Sequence, residues 1–403
     1  MIASRGLSQG KCACFINPFS NHSYFTVRAL SSHSSVYLFC PPLQLQLFFR
    51  RWRRDDICLV APSASARANN IFCIFAFLLY RLRIISHSGY IHLFRHLLCY
   101  YLESLGDCAI FAYYQDYISD VTAFFRPEAI RICELIIRSD PSQANFRSTI
   151  SAIESASAVV MPNADLMQMP FTLNSPVFVA PYGGDKCQFY SNQLKDRLRF
   201  IREDNSYLSE VSFPLSSVRI VARAHSFRKG ADVLLHALLL LQEMMHNNFP
   251  SLNIDVFICG SIKDPDIYSE YVTTSRLLSE SGSIKIHCQQ YEQYAFTQLL
   301  SNSHLFVMPS RLEGSSPAAL EALWHGIPSI LTPQCGVHEF IPSRHGRLLS
   351  VHEPLRLAEA IYAFLDDPTL FLYCRKCLQH DHAYFSWERY FQGYNQLLLQ
   401  MCH

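Results

Sequence analysis

Residues 305–332 constrain the fold of this chain more than any other stretch. Leu305–Met308 is a short apolar run closed by Pro309, the pattern of a central parallel strand. A turn rich in Gly and Ser follows. Ser316 is a residue type that caps helices, and Pro317 suits the first helical position, where a missing N–H costs nothing. Ala318 to Trp324 is a strong helix former. Gly326 suits a left-handed stop, and Pro328 precedes a second apolar strand. Strand, turn, capped helix and strand in so short a span belong to a parallel α/β sheet.

The same stretch offers a place for an anion. The N–H groups of Gly314, Ser315, Ser316 and Ala318 are expected to point out of the helix start. Such an end carries roughly half a positive charge and favours phosphate. Glu321 lies one turn inside the helix, where a carboxylate can accept two hydroxyl hydrogen bonds, as from the cis-diol of a ribose. Glu313, in the turn, would face whatever hangs from the phosphates. The two glutamates alone mean little. At about one Glu in twenty residues, their spacing arises by chance about once in such a chain. Glu321 could also simply pair with His325 across one helical turn. The setting carries the weight.

A second constellation points the same way. Val218–Ala222 is a short apolar strand with one charge, followed by Arg223-Ala-His-Ser-Phe-Arg-Lys-Gly-Ala-Asp and a Leu-rich helix from about Asp232 to His246. Arg223 and Lys229 would both sit at the carboxyl end of a strand, the edge where open α/β sheets bind ligands. Two cations there can neutralise a diphosphate. The plain alternative is that Arg228 and Lys229 are ordinary turn charges. His225 reads either as a ligand contact or as a satisfied structural histidine.

Arg223 through Asp232, Glu313-Gly-Ser-Ser-Pro-Ala-Ala-Leu-Glu321-Ala and Gly326-Ile-Pro-Ser-Ile together resemble the donor-binding half of family 4 glycosyltransferases. The likeness continues through Gly336-Val-His-Glu-Phe, Gly346-Arg-Leu-Leu and Asp366-Asp-Pro, over about residues 215–370. It implies the GT-B fold: two Rossmann-like, doubly wound α/β domains facing a cleft, with a carboxyl-terminal helix crossing back. It also implies a retaining, hexosyltransferase-type enzyme using a UDP- or GDP-sugar, with no metal and no further cofactor. By resemblance, Arg223 and Lys229 hold the diphosphate, Glu313 faces the donor sugar and Glu321 holds the ribose. Gly314, Ser315, Ser316, His225 and Gly260 join the donor site. Gly260-Ser-Ile keeps one glycine of a turn that is commonly Gly-x-Gly in the family. Gln289-Gln-Tyr-Glu stands where a loop usually supports the base.

The amino-terminal half carries weaker signals. Cys12–Ile16, Val36–Cys40, Ile57–Ala61, Cys108–Ala112, Ala158–Met161 and Val177–Ala180 read as strands, with helical segments between several of them. The loop beginning at Asn17 lacks the glycines common in the family. Where many relatives place a histidine near the reacting sugar, Tyr114 or Gln115 stands, beside Asp116. Asn17, Gln115 and Asp116 are therefore assigned to the acceptor side. The expected domains are 1–186 (acceptor side), 187–375 (donor side) and a returning helix within 376–403. Pro181-Tyr-Gly-Gly-Asp-Lys resembles the family's signature at the end of the first domain. Trp387–Met401 reads as a helix, with Tyr390, Phe391, Tyr394, Leu397 and Leu398 on one face.

Thirty-four basic against 33 acidic side chains leave a net charge of +1, which implies no bulk affinity for nucleic acid. Fifteen cysteines without paired metal spacing, and no recognisable secretory leader, fit a reducing cytoplasm. The longest apolar run, Ile71–Tyr80, is shorter than the about 20 residues that span a bilayer. Phe48-Phe-Arg-Arg-Trp-Arg-Arg54 joins aromatics to four arginines, a composition that suits peripheral contact with an anionic membrane. The expected acceptor is a glycan, a lipid-linked sugar of polysaccharide synthesis or a small molecule. Two other readings stand beside this one: a GT-B sugar-nucleotide epimerase, and a non-catalytic GT-B-like binding or scaffold subunit.

Overall fold

The computed structural model describes residues 11–15, 35–39, 110–114, 130–135, 153–163, 174–185, 216–337, 343–349 and 352–401, with a few isolated positions between them. The chain forms two compact units, Met1–Pro181 with Glu388–His403, and Tyr182–Trp387.

The first unit holds a parallel sheet of six strands: β1 (Lys11–Phe15), β2 (Ser35–Phe39), β3 (Ile110–Tyr114), β4 (Ile130–Glu134), β5 (Ala158–Met161) and β6 (Val177–Val179). Their order is β2-β1-β3-β4-β5-β6. Every pairing is parallel, so each connection must be a crossover. The first strand pair reverses direction of build between β1 and β3, as in doubly wound sheets. β3 begins two residues later than expected, so Tyr113 and Tyr114 are strand residues rather than the start of a loop. Ile57–Ala61 lies outside the described residues.

β4 was not among the expected strands. Ile-Arg-Ile-Cys-Glu places two charges in five residues and shows no clean apolar run. Both charges are paired instead of solvated. The Arg131 Nε–H donates to the Ser155 carbonyl at 2.6 Å. The hydroxyls of Tyr390 and Tyr394 both donate to Glu134 Oε1, each at 2.5 Å. These tyrosines lie on the final helix (Glu388–Met401), which packs on β5 and β6 and thus belongs with the first unit.

The second unit holds β7 (Ser217–Ala222), β8 (Asn253–Cys259), β9 (Ile284–Gln289), β10 (Leu305–Met308), β11 (Ser329–Leu331) and β12 (Gly346–Leu348). The order is β12-β11-β10-β7-β8-β9, again parallel throughout. Strand order reverses between β7 and β10. Crevices for ligands open at such a switch, outside the carboxyl ends of the strands.

Helices cover this sheet. In the second unit they are α1 (Ala231–Met245), α2 (Pro265–Ser281), α3 (Gln293–Ser301), α4 (Pro317–Trp324), α5 (Pro354–Asp366) and α6 (Pro368–His380); the final helix is α7. α1 packs against α2 and α5 and buries Leu234, Leu235, Leu238 and Leu241 completely. Each such leucine contributes about 1.5–3 kcal/mol by leaving water. Four of four residues of β10 are buried, as a central strand requires.

The segment leading into this unit is held by close backbone approach. The Gly184 N–H donates to the Phe385 carbonyl at 2.7 Å. A Cβ on Gly184 would lie 2.0 Å from the Leu320 carbonyl oxygen, so only glycine fits. Among the described residues, no helix is long and apolar enough to cross a membrane.

Candidate active site

Two loops leave the sheet at the switch point. One follows β7 and runs from Arg223 to Gly230. The other follows β10 and runs from Pro309 to Ser316. They are stitched together by backbone and side chain. The Arg311 N–H donates to the Arg228 carbonyl at 2.8 Å. Its guanidinium makes a two-pronged pair with Asp232, at 2.7 and 2.6 Å, and lies 4.0 Å over the Phe227 ring. Burial pushes the Asp232 carboxyl up, but the hydrogen bonds and charge of Arg311 outweigh it and hold the group below its ordinary value.

The second loop ends in α4 as its local chemistry dictates. Ser316 Oγ caps the helix by accepting from the Ala319 N–H at 3.3 Å, and Pro317 occupies the first turn. Gly326 closes it with φ +75°, its N–H bonded to the Leu323 carbonyl at 3.0 Å. The expectation that all N–H groups of this turn face outward needs correction. The Ser316 N–H donates to the Cys335 carbonyl at 3.1 Å, because the turn packs on the loop after β11. Ser316, Pro317 and Ala318, at the start of α4, lie on the cavity wall.

A cavity of about 730 Å³ opens between the loops, within the second unit. Arg223, His225, Lys229, Gly260, Glu313 and Ser316 line it, together with Pro317 and Ala318. The Arg223 guanidinium is anchored by one bond to the Cys259 carbonyl at 2.8 Å and lies 5.9 Å from the Phe296 ring centre. Lys229 Nζ donates to Glu313 Oε1 at 2.7 Å, and Arg228 approaches the same oxygen at 3.1 Å. Burial draws the Lys229 ammonium below its ordinary value, while Glu313 works against that shift. Two partly buried cations and the start of α4 therefore converge on one space, with the Glu313 carboxylate among them.

Not every expected residue reaches the cavity. Glu321 is 0% exposed and accepts from Thr297 Oγ1 at 2.7 Å. Gly314 and Ser315 are buried behind the wall. Asn17, Gln115 and Asp116 lie outside the described residues, as do Arg50, Arg51, Arg53 and Arg54. The structure adds Ser261, Lys263, Asp264, Gln290, Tyr291 and Phe296 to the lining. Their signal in the sequence was positional: the first three follow β8, and Gln290 and Tyr291 follow β9, at the same sheet edge as Arg223. Asp264 also caps α2, accepting from the Asp266 N–H at 3.0 Å.

Residues 217–367 match the family model described as Glycosyl transferases group 1. No match was found among curated proteins by sequence. Solved structures share the fold along nearly the whole chain. The amino-terminal domain of Candida albicans trehalose-6-phosphate phosphatase is 10% identical, with a TM-score of 0.66, over 98% of this chain and 97% of that one. A UDP-forming α,α-trehalose-phosphate synthase from Burkholderia xenovorans, in complex with glucose-6-phosphate, is 14% identical, with a TM-score of 0.62, over 98% and 99%. Anabaena HepE in complex with UDP-glucose is 14% identical, with a TM-score of 0.62, over 97% and 99%. The architecture is thus the GT-B type, and the family match to the second unit supports a glycosyltransferase.

Proposed function

We propose that this chain is a retaining glycosyltransferase of family 4 type, which moves a hexosyl group from a nucleotide-diphosphate sugar to an acceptor hydroxyl. The observation that carries the reading is the convergence of Arg223, Lys229 and Glu313 on one cavity at the switch point of the second sheet. A diphosphate placed there meets two cations and the Ala318 end of α4. Those groups stabilise charge that grows as the nucleotide departs, which is electrostatic catalysis. Glu313 is the carboxylate next to Lys229, so it faces the sugar carried by the second phosphate.

In the resting structure Glu313 holds Lys229 at 2.7 Å. Donor binding must therefore share or exchange that contact. Glu321 takes the ribose in this reading, and its bond from Thr297 must then be traded for ribose hydroxyls. The departing phosphate oxygen takes the acceptor proton on the face it leaves, which preserves the anomeric configuration. UDP is the favoured nucleotide, in line with the UDP-glucose and UDP-forming neighbours. A sugar or sugar phosphate is the favoured acceptor, in line with the neighbour that holds glucose-6-phosphate. Contact of the Arg50–Arg54 segment with an anionic membrane belongs to the same proposal and would bring a lipid-linked acceptor within reach.

Thermal denaturation with UDP, GDP and ADP, in wild type and Lys229→Ala, tests the reading. A shift with one nucleotide that disappears in the variant is expected. No shift with any of the three would sink it.

A further inference from the structure

We infer that His225 serves this cavity as a neutral imidazole, with Nδ1 sealed against Gly260 and the Nε2–H offered as a hydrogen-bond donor to a phosphate oxygen of the bound nucleotide sugar. The inference rests on reading the cavity as the donor site.

The chain positions the ring tightly. Ala224, fully buried, anchors the loop directly before it. Gly260, at the end of β8, has φ +147°, and a Cβ built there would lie 2.4 Å from both Cγ and Nδ1 of His225. Any side chain at position 260 would displace the imidazole. Glycine lets the ring lie against the backbone, and this contact fixes its plane.

The two ring nitrogens then have different fates. Nδ1 is buried and has no hydrogen-bond partner. A proton there would be an orphaned buried N–H, the rarest kind of unmet polar group. A lone pair is the lesser cost, so the proton belongs on Nε2, the other ring nitrogen of this cavity-lining residue. A charged imidazolium would strand an N–H at Nδ1 as well.

The charged surroundings agree. Arg223, Arg228 and Lys229 face the ring from its own loop, and Glu313 faces it from the loop after β10. Burial first, then the three cations, depress the imidazole to about 4, with Glu313 opposing. A neutral imidazole among these cations adds a directional bond to an anion without adding another charge. Neutral imidazoles with depressed pKa values act as electrophiles in other enzymes. Charge neutrality also keeps the nucleoside diphosphate product from being held too tightly.

The test has two parts. Histidine-selective nitrogen-15 labelling, with His225→Leu used to assign the signal, should show the Nε2–H form and no titration between pH 5 and 8. Calorimetry with UDP-glucose, and with GDP-glucose and ADP-glucose in parallel, should show binding weakened about tenfold or more in His225→Leu and largely restored in His225→Gln. A proton on Nδ1, titration inside that pH range, or leucine-variant binding within about twofold of wild type would each overturn the inference while leaving the cavity's role intact. Failure of the wild type to bind any of the three would instead overturn the donor-site reading, and this inference with it.

Discussion

Lys229 Nζ and Glu313 Oε1 lie 2.7 Å apart, joining residues 84 positions apart in the chain at the mouth of two loops. The pair is partly buried, with side chains 12% and 14% exposed. It is the contact that a diphosphate must compete with, and this sets the sign of the first prediction.

Glu313→Ala frees Lys229 for phosphate. UDP binding should stay equal or tighten by up to about tenfold, while turnover falls roughly a hundredfold or more because the sugar loses its carboxylate. Glu321→Ala should weaken UDP binding with a smaller effect on turnover. Calorimetry with UDP and steady-state kinetics separate the two. Equal weakening of UDP binding by both substitutions would contradict this division of labour.

The Arg311–Asp232 clamp should matter through geometry. Arg311→Lys keeps the charge but loses the two-pronged bond and the planar contact with Phe227. A stability loss of about 1–2 kcal/mol is expected in urea, together with weaker nucleotide binding. Unchanged binding at unchanged stability would show that the loops hold their places without it.

Stability should fall as pH drops from 6.5 towards 4. Burial, aided by neighbouring cations, holds both His225 and His304 at about 4, against an ordinary value of 6.5. The unfolded chain therefore binds more protons in that window, and folding loses ground there, with the contribution fully present above it. After allowance for solvent screening, the loss is roughly 1–2 kcal/mol for the pair. Melting temperatures at pH 7 and pH 5 should differ less in His304→Gln than in wild type.

Glu134 should behave as a shared acceptor. Tyr390→Phe or Tyr394→Phe alone removes one hydrogen bond and costs about 1 kcal/mol, since the other hydroxyl remains. The double variant removes both hydroxyl donors from one oxygen of a buried carboxylate and should cost more than the sum. Urea denaturation of the three variants decides it, and simple additivity would count against a shared acceptor.

The Arg50–Arg54 segment gives a fifth outcome. Changing Arg50, Arg51, Arg53 and Arg54 to Glu should abolish co-sedimentation with vesicles rich in anionic lipid. Unchanged co-sedimentation would remove the membrane from the proposal.

What the sequence determined by itself was everything written in short-range code. β10, the Ser316 cap, Pro317 and the Gly326 stop were legible because apolar runs and caps act within a few residues. The charged loops after β7 and β10 were legible because ligand edges follow strand ends. β4 was not, since its two charges find partners far away, at Ser155 and on α7. Nor was the fate of Glu321, which depends on Thr297 approaching from α3. Only the tertiary structure decided that Arg223, Lys229 and Glu313 share a cavity, that Arg311 reaches Asp232 across 79 residues, and that Gly260 makes room for His225. The reason is physical: which surfaces face each other depends on how parallel strands are ordered in the sheet. That order is settled by crossovers and core packing over the whole unit.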